Sequence, residues 1–170
     1  MFQRFFPNEY YDSTYHIDFR AFYEKGYRAV LFDVDNTLVE HDAPANAQAI
    51  ELIQQLKAMG YGVCFVSNND ETRVKTFNDK VGATYVYKAG KPSAKGYEQA
   101  MQKLGTNQTN TLFVGDQIFT DIWGANNAKL YSILVQPIAK HEEIQIVLKR
   151  IPEKWVLHRY LKKHTLQTGK

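Results

Sequence analysis

Residues 28–38 read RAVLFDVDNTL, an apolar run that ends abruptly in two aspartates. Residues 28–32 have the length and composition of a buried β-strand. Asp33 and Asp35 follow this strand directly. In an open α/β sheet, ligands bind beyond the carboxyl ends of the strands. Both carboxylates are therefore expected where such a fold carries its chemistry.

Four more runs rich in β-branched and aromatic residues follow, and helical patterns separate them. The predicted strands are residues 28–32, 61–66, 84–87, 111–114 and 131–135, and the predicted crossover helices are residues 46–59, 71–80, 93–104 and 120–129. Short connections of this kind form right-handed strand–helix–strand units. The pattern predicts an α/β fold, a doubly wound, open parallel sheet of about five strands that is Rossmann-like.

The composition is that of one globular domain. The 170 residues are 44% hydrophobic and 23% charged, which argues against a disordered or fibrous chain. No apolar stretch approaches the roughly 20 residues of a membrane-spanning helix, and residues 1–12 lack an apolar signal-peptide core. We therefore expect a cytoplasmic protein. The single cysteine, Cys64, lies in an apolar strand, so we expect a buried thiol and no disulfide framework.

The predicted core, residues 28–135, has an extension on each side within a single 1–170 domain. Residues 1–27 hold ten of the 23 aromatic side chains. One interpretation is that these aromatics pack over the helices of the sheet. The alternative is an interfacial anchor at lipid headgroups, which would make the protein peripheral to a membrane.

The second extension, residues 140–170, is basic. It has eight Lys or Arg and three Asp or Glu, a net charge of +5, while the rest of the chain carries −2. Such a segment is either a solvated helical face or an attraction for phosphate-bearing partners. Two helices are predicted, at residues 142–150 and 153–163, separated by Pro152. Residues after His164 are expected to be frayed.

Polar side chains follow the predicted strands at one edge of the sheet. Carboxylates crowded together there need a cation, and Mg²⁺ with oxygen ligands is the best match. A hydroxyl and an ammonium group beside them would bind the oxygens of a transferring phosphoryl group. These features predict phosphoryl transfer at a site that contains Asp33, Asp35, Ser67, Lys91, Asp116 and Asp121.

The same residues resemble the four ordered motifs of the haloacid dehalogenase (HAD) superfamily of phosphohydrolases. The motifs are DVDNTL at 33–38, Ser67, the lysine before Pro92, and GDQIFTD at 115–121. Four ordered elements at matching strand ends form a specific signature, whereas a lone DxDxT would be weak. The alternative for each single residue is an ordinary helix cap or a solvated charge.

The resemblance implies a role for each residue. Asp33 would be the nucleophile that forms an aspartyl-phosphate, and Asp35 the general acid and base. Mg²⁺ would be held by Asp33, the backbone carbonyl of Asp35 and Asp116. Ser67 and Lys91 would bind phosphate, and Asp121 would support the metal's waters or Lys91. Lys88 and Lys95 are alternatives for the motif lysine.

The spacing leaves no room for a cap domain. Twenty-eight residues separate Leu38 from Ser67, and 23 separate Ser67 from Lys91. An uncapped site favours a large substrate, or a lid supplied by a second copy in a homo-oligomer. Residues 40–44 are the candidate flap. His41 in this loop is either a contact for the leaving group or a solvated histidine.

The missing cap, the aromatic N-terminal extension and the motifs DVDNTL, VSNN, KP and GDQIFTD together resemble the YqeG-type branch of the superfamily, which is related to mitochondrial phosphatidylglycerophosphate phosphatases. This resemblance implies a phosphomonoester substrate that is a lipid phosphate at a membrane surface, here phosphatidylglycerophosphate. One alternative is a soluble phosphatase acting on a sugar phosphate, nucleotide or phosphorylated macromolecule. Another is a non-catalytic regulatory binding module. The sequence has no specific nucleic-acid-binding motif.

Overall fold

A sheet of seven parallel strands forms the centre of the molecule. The computed structural model describes residues 2–139 and 144–169, and of residues 144–149 the backbone alone. The strands are β1 (Glu9–Tyr11), β2 (Ala29–Phe32), β3 (Gly62–Val66), β4 (Thr84–Val86), β5 (Thr111–Gly115), β6 (Tyr131–Val135) and β7 (Leu166–Gln167). Their order across the sheet is β4-β3-β2-β5-β6-β1-β7.

Helices cover both faces of this sheet, as a parallel sheet requires. The helices are α1 (Phe19–Glu24), α2 (Ala47–Met59), α3 (Glu71–Asn78), α4 (Lys95–Leu104), α5 (Trp123–Asn127) and α6 (Ile144–Leu161). The first three pack on one face, and the last three on the other. One π-helical turn, Ile118–Ile122, leads directly into α5. The fold is the predicted α/β class.

The central strands and their helices form where the sequence predicts them. All four residues of β2 are fully buried, in agreement with its continuous apolar run. Helix α2 begins at Asn46, whose side chain accepts a hydrogen bond from the Ala49 N–H, and ends at Gly60 with a φ of +107°. Asp70 caps α3 in the same way.

The prediction of about five strands is wrong by two. β1 pairs with β6 through Tyr10 and Leu134, and β7 pairs with β1 through Leu166 and Tyr10. The two additional strands have three and two residues, too short to show a periodic pattern. They form because β1 pairs with β6, and β7 pairs with β1, after the chain has folded back.

The N-terminal aromatics pack inside the fold. None of the ten aromatic side chains among residues 2–27 is exposed, and Tyr10, Phe19 and Phe22 are buried. Phe19 makes edge contacts with Phe32 of β2 and with Tyr61. Of the two interpretations of this segment, the structure agrees with packing on the sheet and its helices, and provides no exposed aromatic belt there.

The C-terminal predictions need two corrections. Helix α6 continues through Pro152, so the expected break between two helices is wrong. Val156 and Tyr160 bury its inner face, and this packing outweighs the backbone hydrogen bond that proline cannot donate. Residues 165–169 are not frayed, because the Gln167 carbonyl accepts a hydrogen bond from the Asp12 N–H at 2.9 Å. Residues 140–143, where the first helix was expected to begin, lie outside the described residues.

Two further expectations concern single elements. Cys64 is fully buried in β3, and burial raises the pKa of its thiol to about 12. In the described part of the chain, no helix combines the length and the apolar character needed to cross a bilayer.

Candidate active site

The strand register brings the predicted polar residues to one edge of the sheet. Phe32, the last residue of β2, lies beside Phe65 of β3 and Val114 of β5. Asp33 therefore leaves its strand level with the chain segments that carry Ser67 and Asp116. The ends of three adjacent strands deliver residues that are up to 83 positions apart in the sequence.

Lys91 joins two of the aspartates. Its Nζ donates to Asp33 Oδ1 at 2.7 Å and to Asp121 Oδ1 at 2.6 Å, and its side chain is 3% exposed. Burial disfavours the charged form of Lys91, but the two carboxylates outweigh burial and raise its pKa. The ammonium group is thus held charged in the interior.

Asp121 supports the loop that carries Asp116. Its Oδ2 accepts hydrogen bonds from the backbone N–H groups of Asp116 and Gln117, both at 3.1 Å. This approach depends on Gly115, since a Cβ at that position would lie 2.6 Å from the Cβ of Asp121. The glycine in GDQIFTD therefore permits the aspartate to fold back over the strand end.

Asp33, Asp116 and Asp121 form a buried acidic cluster. One carboxylate oxygen from each lies within 4.8 Å of the others. Burial and the nearby Asp121 raise the pKa of Asp33 to about 7, against the opposing effect of Lys91. The same two causes raise the pKa of Asp116 well above its ordinary value, opposed by Arg150. Thr37 Oγ1 lies 3.3 Å from Asp33 and from Asp116, where it bridges the pair.

This cluster fits a hard divalent cation. It offers oxygen donors only, which is the ligand set that Mg²⁺ prefers, and a cation would offset the cost of three buried carboxylates. The predicted third ligand is the backbone carbonyl of Asp35, which this cluster of side chains does not include, and Asp121 supplies the third carboxylate.

Helix α6 contacts the cluster from the far end of the sequence. Arg150 donates to Asp116 Oδ2 at 2.6 Å and to the Asp116 backbone carbonyl at 2.8 Å. Glu153, also buried, accepts from the backbone N–H groups of Ile118 and Phe119 at 2.9 and 3.4 Å and pairs with Arg150 at 3.1 Å. Two charged side chains thus tie α6 to the loop after β5.

Asp35 faces a different set of partners. Its Oδ2 accepts from Asn69 Nδ2 at 2.7 Å, and its Oδ1 accepts from Arg73 Nη2 at 2.8 Å and from the Asp42 backbone N–H at 2.9 Å. Its side chain therefore belongs to the cavity wall beside α3, whereas the side chain of Asp33 belongs to the acidic cluster. The two carboxylates of DVDNTL occupy distinct environments.

Ser67 and Lys91 are held by the turn after β3. Ser67 is buried, and its Oγ accepts from the Asn69 N–H at 3.1 Å. Asn68 accepts from the Lys91 backbone N–H at 2.8 Å and donates to the Lys91 carbonyl at 3.1 Å. Lys88 and Lys95, the alternatives for the motif lysine, have exposed side chains. Lys91 is the one of these three that contacts Asp33.

These groups line an open cavity of about 180 Å³. Its walls are polar, and His41 from the loop at residues 40–44 stands at its rim, 43% exposed and 3.3 Å from Asp42. The lining residues are Asp33, Asp35, Asn36, His41, Ser67, Asn68, Asn69, Lys91, Gln117, Thr120 and Asp121.

Several residues at the site were not predicted from the sequence. Thr37 and Asn69 lie within or beside the quoted motifs, so their positions in the sequence could have indicated that they lie near the site. Arg73 and Arg150 have no such signal, because a single arginine on a helix does not indicate which strand end it will reach. Glu153 is likewise visible only after α6 has packed on the sheet.

Comparison with known proteins places the chain in a family. Residues 41–129 match the family model of the haloacid dehalogenase-like hydrolases. The chain belongs to this family. This HAD-like hydrolase is 34% identical over 169 residues to "Probable phosphatase YqeG" of Bacillus subtilis, an alignment that covers 98% of each chain. The predicted enzyme class, a phosphatase of this family, is confirmed by these matches.

A second relative is more distant. The HAD-like hydrolase is 28% identical over 159 residues to "Phosphatidylglycerophosphate phosphatase 1, chloroplastic/mitochondrial" of Arabidopsis thaliana. The alignment covers 87% of this chain and 46% of that protein, so the chain spans about half of that relative's length.

Solved structures agree on the fold. A HAD phosphatase from Thermococcus onnurineus superposes with a TM-score of 0.57 at 13% identity, over 69% of this chain and 90% of that chain. Phosphatases of this family generally use a divalent metal, and the acidic cluster is a candidate site for it.

Proposed function

We propose that this HAD-like hydrolase is an Mg²⁺-dependent phosphomonoesterase that acts through an aspartyl-phosphate on Asp33. One observation carries the proposal. The Asp33 carboxylate lines the cavity and contacts the Lys91 ammonium group inside an acidic cluster, while Asp35, held separately, lines the same cavity. A nucleophile and a proton donor facing one space are what phosphate ester hydrolysis requires.

In the first step, a carboxylate oxygen of Asp33 attacks the phosphorus of the ester. The bond between phosphorus and the leaving oxygen breaks, and protonated Asp35 gives its proton to that oxygen. Asn69 and Arg73 hold the Asp35 carboxyl in place for this transfer. Ser67 and Lys91 bind the non-reacting phosphoryl oxygens as charge moves onto them.

In the second step, the phosphoryl group leaves Asp33. The Asp35 carboxylate takes a proton from a water molecule, whose oxygen attacks phosphorus. The bond between phosphorus and Asp33 then breaks, so the Asp33 carboxylate and the proton on Asp35 are both restored. Phosphate is released and one water molecule has been consumed.

Mg²⁺ would be held by Asp33, Asp116 and the backbone carbonyl of Asp35, with Asp121 in support. When bound, it supplies positive charge beside the phosphate, which neutralises the crowded carboxylates and assists attack by an anionic nucleophile. The oxygen-only donor set and the burial of the three aspartates support this assignment.

For the substrate, we propose a lipid phosphate, with phosphatidylglycerophosphate as the first candidate. The Arabidopsis relative supports it by its name. A groove of about 460 Å³ also supports it, since Asp116 lines it together with residues of β6 and α6. Its floor is largely apolar, with Tyr10, Leu134, Pro137 and Leu157 among its lining residues. The apolar part of a lipid would be accommodated there.

The test is phosphate release by the purified protein with Mg²⁺, with and without EDTA. Phosphatidylglycerophosphate in mixed micelles is compared with a panel of soluble phosphate esters. Asp33→Asn is the blank, because its amide keeps the shape of the carboxyl but is a poor nucleophile. We expect Mg²⁺-dependent release from the lipid and none from the variant.

The other outcomes separate the parts of the proposal. Turnover of soluble esters alone would leave the mechanism in place and overturn the lipid substrate. Turnover that survives in Asp33→Asn would overturn the nucleophile. Silence across the whole panel would favour the non-catalytic binding module over the enzyme.

A further inference from the structure

We propose that the outer face of α6 is a docking surface for an anionic lipid bilayer. We call it the docking face and define it as Ile151, Lys154, Trp155, His158, Arg159 and Lys162. This inference deepens the proposed function, because it specifies where a lipid surface would meet the protein. It rests on the proposed function only for its biological purpose, since bilayer binding is measured without any turnover.

The first observation is an exposed apolar surface on α6, within residues 150–161, whose side chains the structure describes. Ile151 is 60% exposed and Trp155 is 52% exposed, and they lie one turn apart. Leu161 at the end of the helix is 40% exposed. These are three of the five large hydrophobic side chains that stand exposed in the described part of the chain. Exposed apolar groups concentrated in one place mark a surface that binds something.

The second observation is the division of α6 into two sides. Ile151, Trp155 and His158 follow a spacing of four and three residues, which places them in one stripe along the helix, and Lys162 follows four residues later in the turn after it. Glu153, Val156 and Tyr160 are buried on the opposite side. The inner side of the helix is therefore packed, whereas its outer side combines apolar and basic groups.

The third observation is charge, and it selects the partner. Residues 151–169 contain four Lys or Arg and a single acidic residue, Glu153, which is buried. The accessible surface of this segment thus presents cations without an exposed carboxylate. Exposed Trp and Ile flanked by cations are typical of helices that lie in the headgroup region of anionic membranes.

The arrangement around Trp155 suits the same environment. The Arg159 guanidinium lies 4.2 Å from the centre of the Trp155 ring and 5.0 Å from that of Phe2. The rings of Phe2 and Trp155 pack edge to face, with their centres 5.2 Å apart. A cation above aromatic rings can contact a phosphate while the rings enter the acyl boundary. Phe2, which is partly buried, thus packs beside the docking face.

The docking face lies close to the candidate active site. Arg150, the residue before Ile151, contacts Asp116. Leu157, on the same helix, lines the apolar groove that Asp116 also lines. A bilayer against α6 would thus lie beside the route proposed for the lipid.

The experiment is vesicle binding by the full chain. Sedimentation is measured with phosphatidylcholine vesicles that contain or lack phosphatidylglycerol, at low and high salt. Trp155 provides a second readout, because the chain has two tryptophans and Trp155→Phe identifies its share of the emission. We expect binding to the anionic vesicles, a blue shift of the Trp155 emission, and weakening by salt.

Two double variants test the residues. Lys154→Gln with Lys162→Gln should weaken binding about 25-fold, since each lysine near an anionic surface contributes roughly a factor of five. Ile151→Ser with Trp155→Ser should weaken it at least tenfold through lost apolar burial. The matched control is Lys25→Gln with Lys80→Gln, two exposed lysines in the turns after α1 and α3, which pack on the opposite face of the sheet, and it should bind nearly as the parent does.

Circular dichroism confirms that each variant is folded before binding is compared. No binding to anionic vesicles, equal binding to neutral vesicles, or unchanged binding of both double variants would overturn the docking face. The proposed function fails separately, when the unchanged protein releases no phosphate from any ester. A protein that binds vesicles but lacks turnover would keep the docking face and lose the enzyme.

Discussion

Asp35 is held from three sides by hydrogen-bond donors. Asn69, Arg73 and the Asp42 backbone N–H together occupy its two oxygens. The Arg73 side chain is 13% exposed, so its contact with Asp35 is largely shielded from solvent. In the proposed mechanism Arg73 is a positioning residue, because it acts on the reaction through Asp35.

We predict that Arg73→Met lowers kcat about tenfold or more on alkyl phosphates and has a small effect on p-nitrophenyl phosphate. A positioned acid matters where the leaving oxygen needs a proton, and nitrophenolate leaves without one. The measurement is kcat for both ester types. Lys75→Gln is the control, since Lys75 is exposed on the same helix and its side chain contacts Asp79. Equal losses on both esters would contradict the role.

A second prediction at this scale concerns Cys64. Burial raises the pKa of its thiol to about 12, so at pH 8 only about one thiol in ten thousand is ionised. We expect no alkylation by iodoacetamide in the native protein at this pH, and rapid alkylation in urea. Mass spectrometry of the intact protein measures the alkylation under both conditions. Native-state alkylation at the rate of a free thiol would show that β3 opens.

Among the helices, α6 differs most from the structure that its sequence predicts. It carries Pro152 in its interior, where the ring removes one hydrogen bond and crowds the preceding turn. Contacts on its inner side hold it straight through this position, including Glu153 with the loop after β5. The helix therefore packs on the sheet and also contacts the loop of the candidate active site.

We therefore predict that Pro152→Ala stabilises the protein, by about 1–3 kcal/mol in the free energy of unfolding. Urea denaturation measures the change. Pro44→Ala is the contrasting control. Pro44 lies in an exposed loop before α2, where replacing proline loosens the unfolded chain and should cost about 0.4–1 kcal/mol. A loss of stability in Pro152→Ala would mean that the proline is accommodated without cost.

The whole molecule separates its charges into a buried acidic cluster and an exposed basic surface. Three carboxylates are buried together at the centre of the sheet edge, while the exposed cations of α6 give one flank a positive surface. Burial of like charges opposes folding unless a cation compensates them.

The organisation of residues 1–170 as a single phosphatase domain remains a prediction, as do the oligomeric state and the location in the cell.

At this scale we predict that Mg²⁺ raises the melting temperature of the EDTA-treated protein. At a free concentration 100 times its Kd, binding stabilises by about 2.7 kcal/mol, which corresponds to roughly 5–10 °C for a chain of this size. Thermal unfolding with and without Mg²⁺ measures the shift. Asp116→Asn should lose most of it, and an unchanged melting temperature in the parent would contradict the metal site.

The central strands β2 to β6, their crossover helices and the residues at the strand ends could be predicted from the sequence. Continuous apolar runs and helical spacing are local properties, and parallel strands necessarily end at one edge of the sheet. These properties of the sequence therefore indicate Asp33, Asp35, Ser67, Lys91, Asp116 and Asp121 as the polar residues of this edge. Their catalytic roles remain proposals.

The remaining features depend on contacts between distant parts of the chain. β1 and β7 are too short to have a pattern, and they form because each completes an edge that the other elements expose. Arg150 reaches Asp116 only because α6 packs across the sheet, and that packing also carries the helix through Pro152. Local patterning determined the core and its polar edge, whereas long-range pairing and burial decided what surrounds that edge.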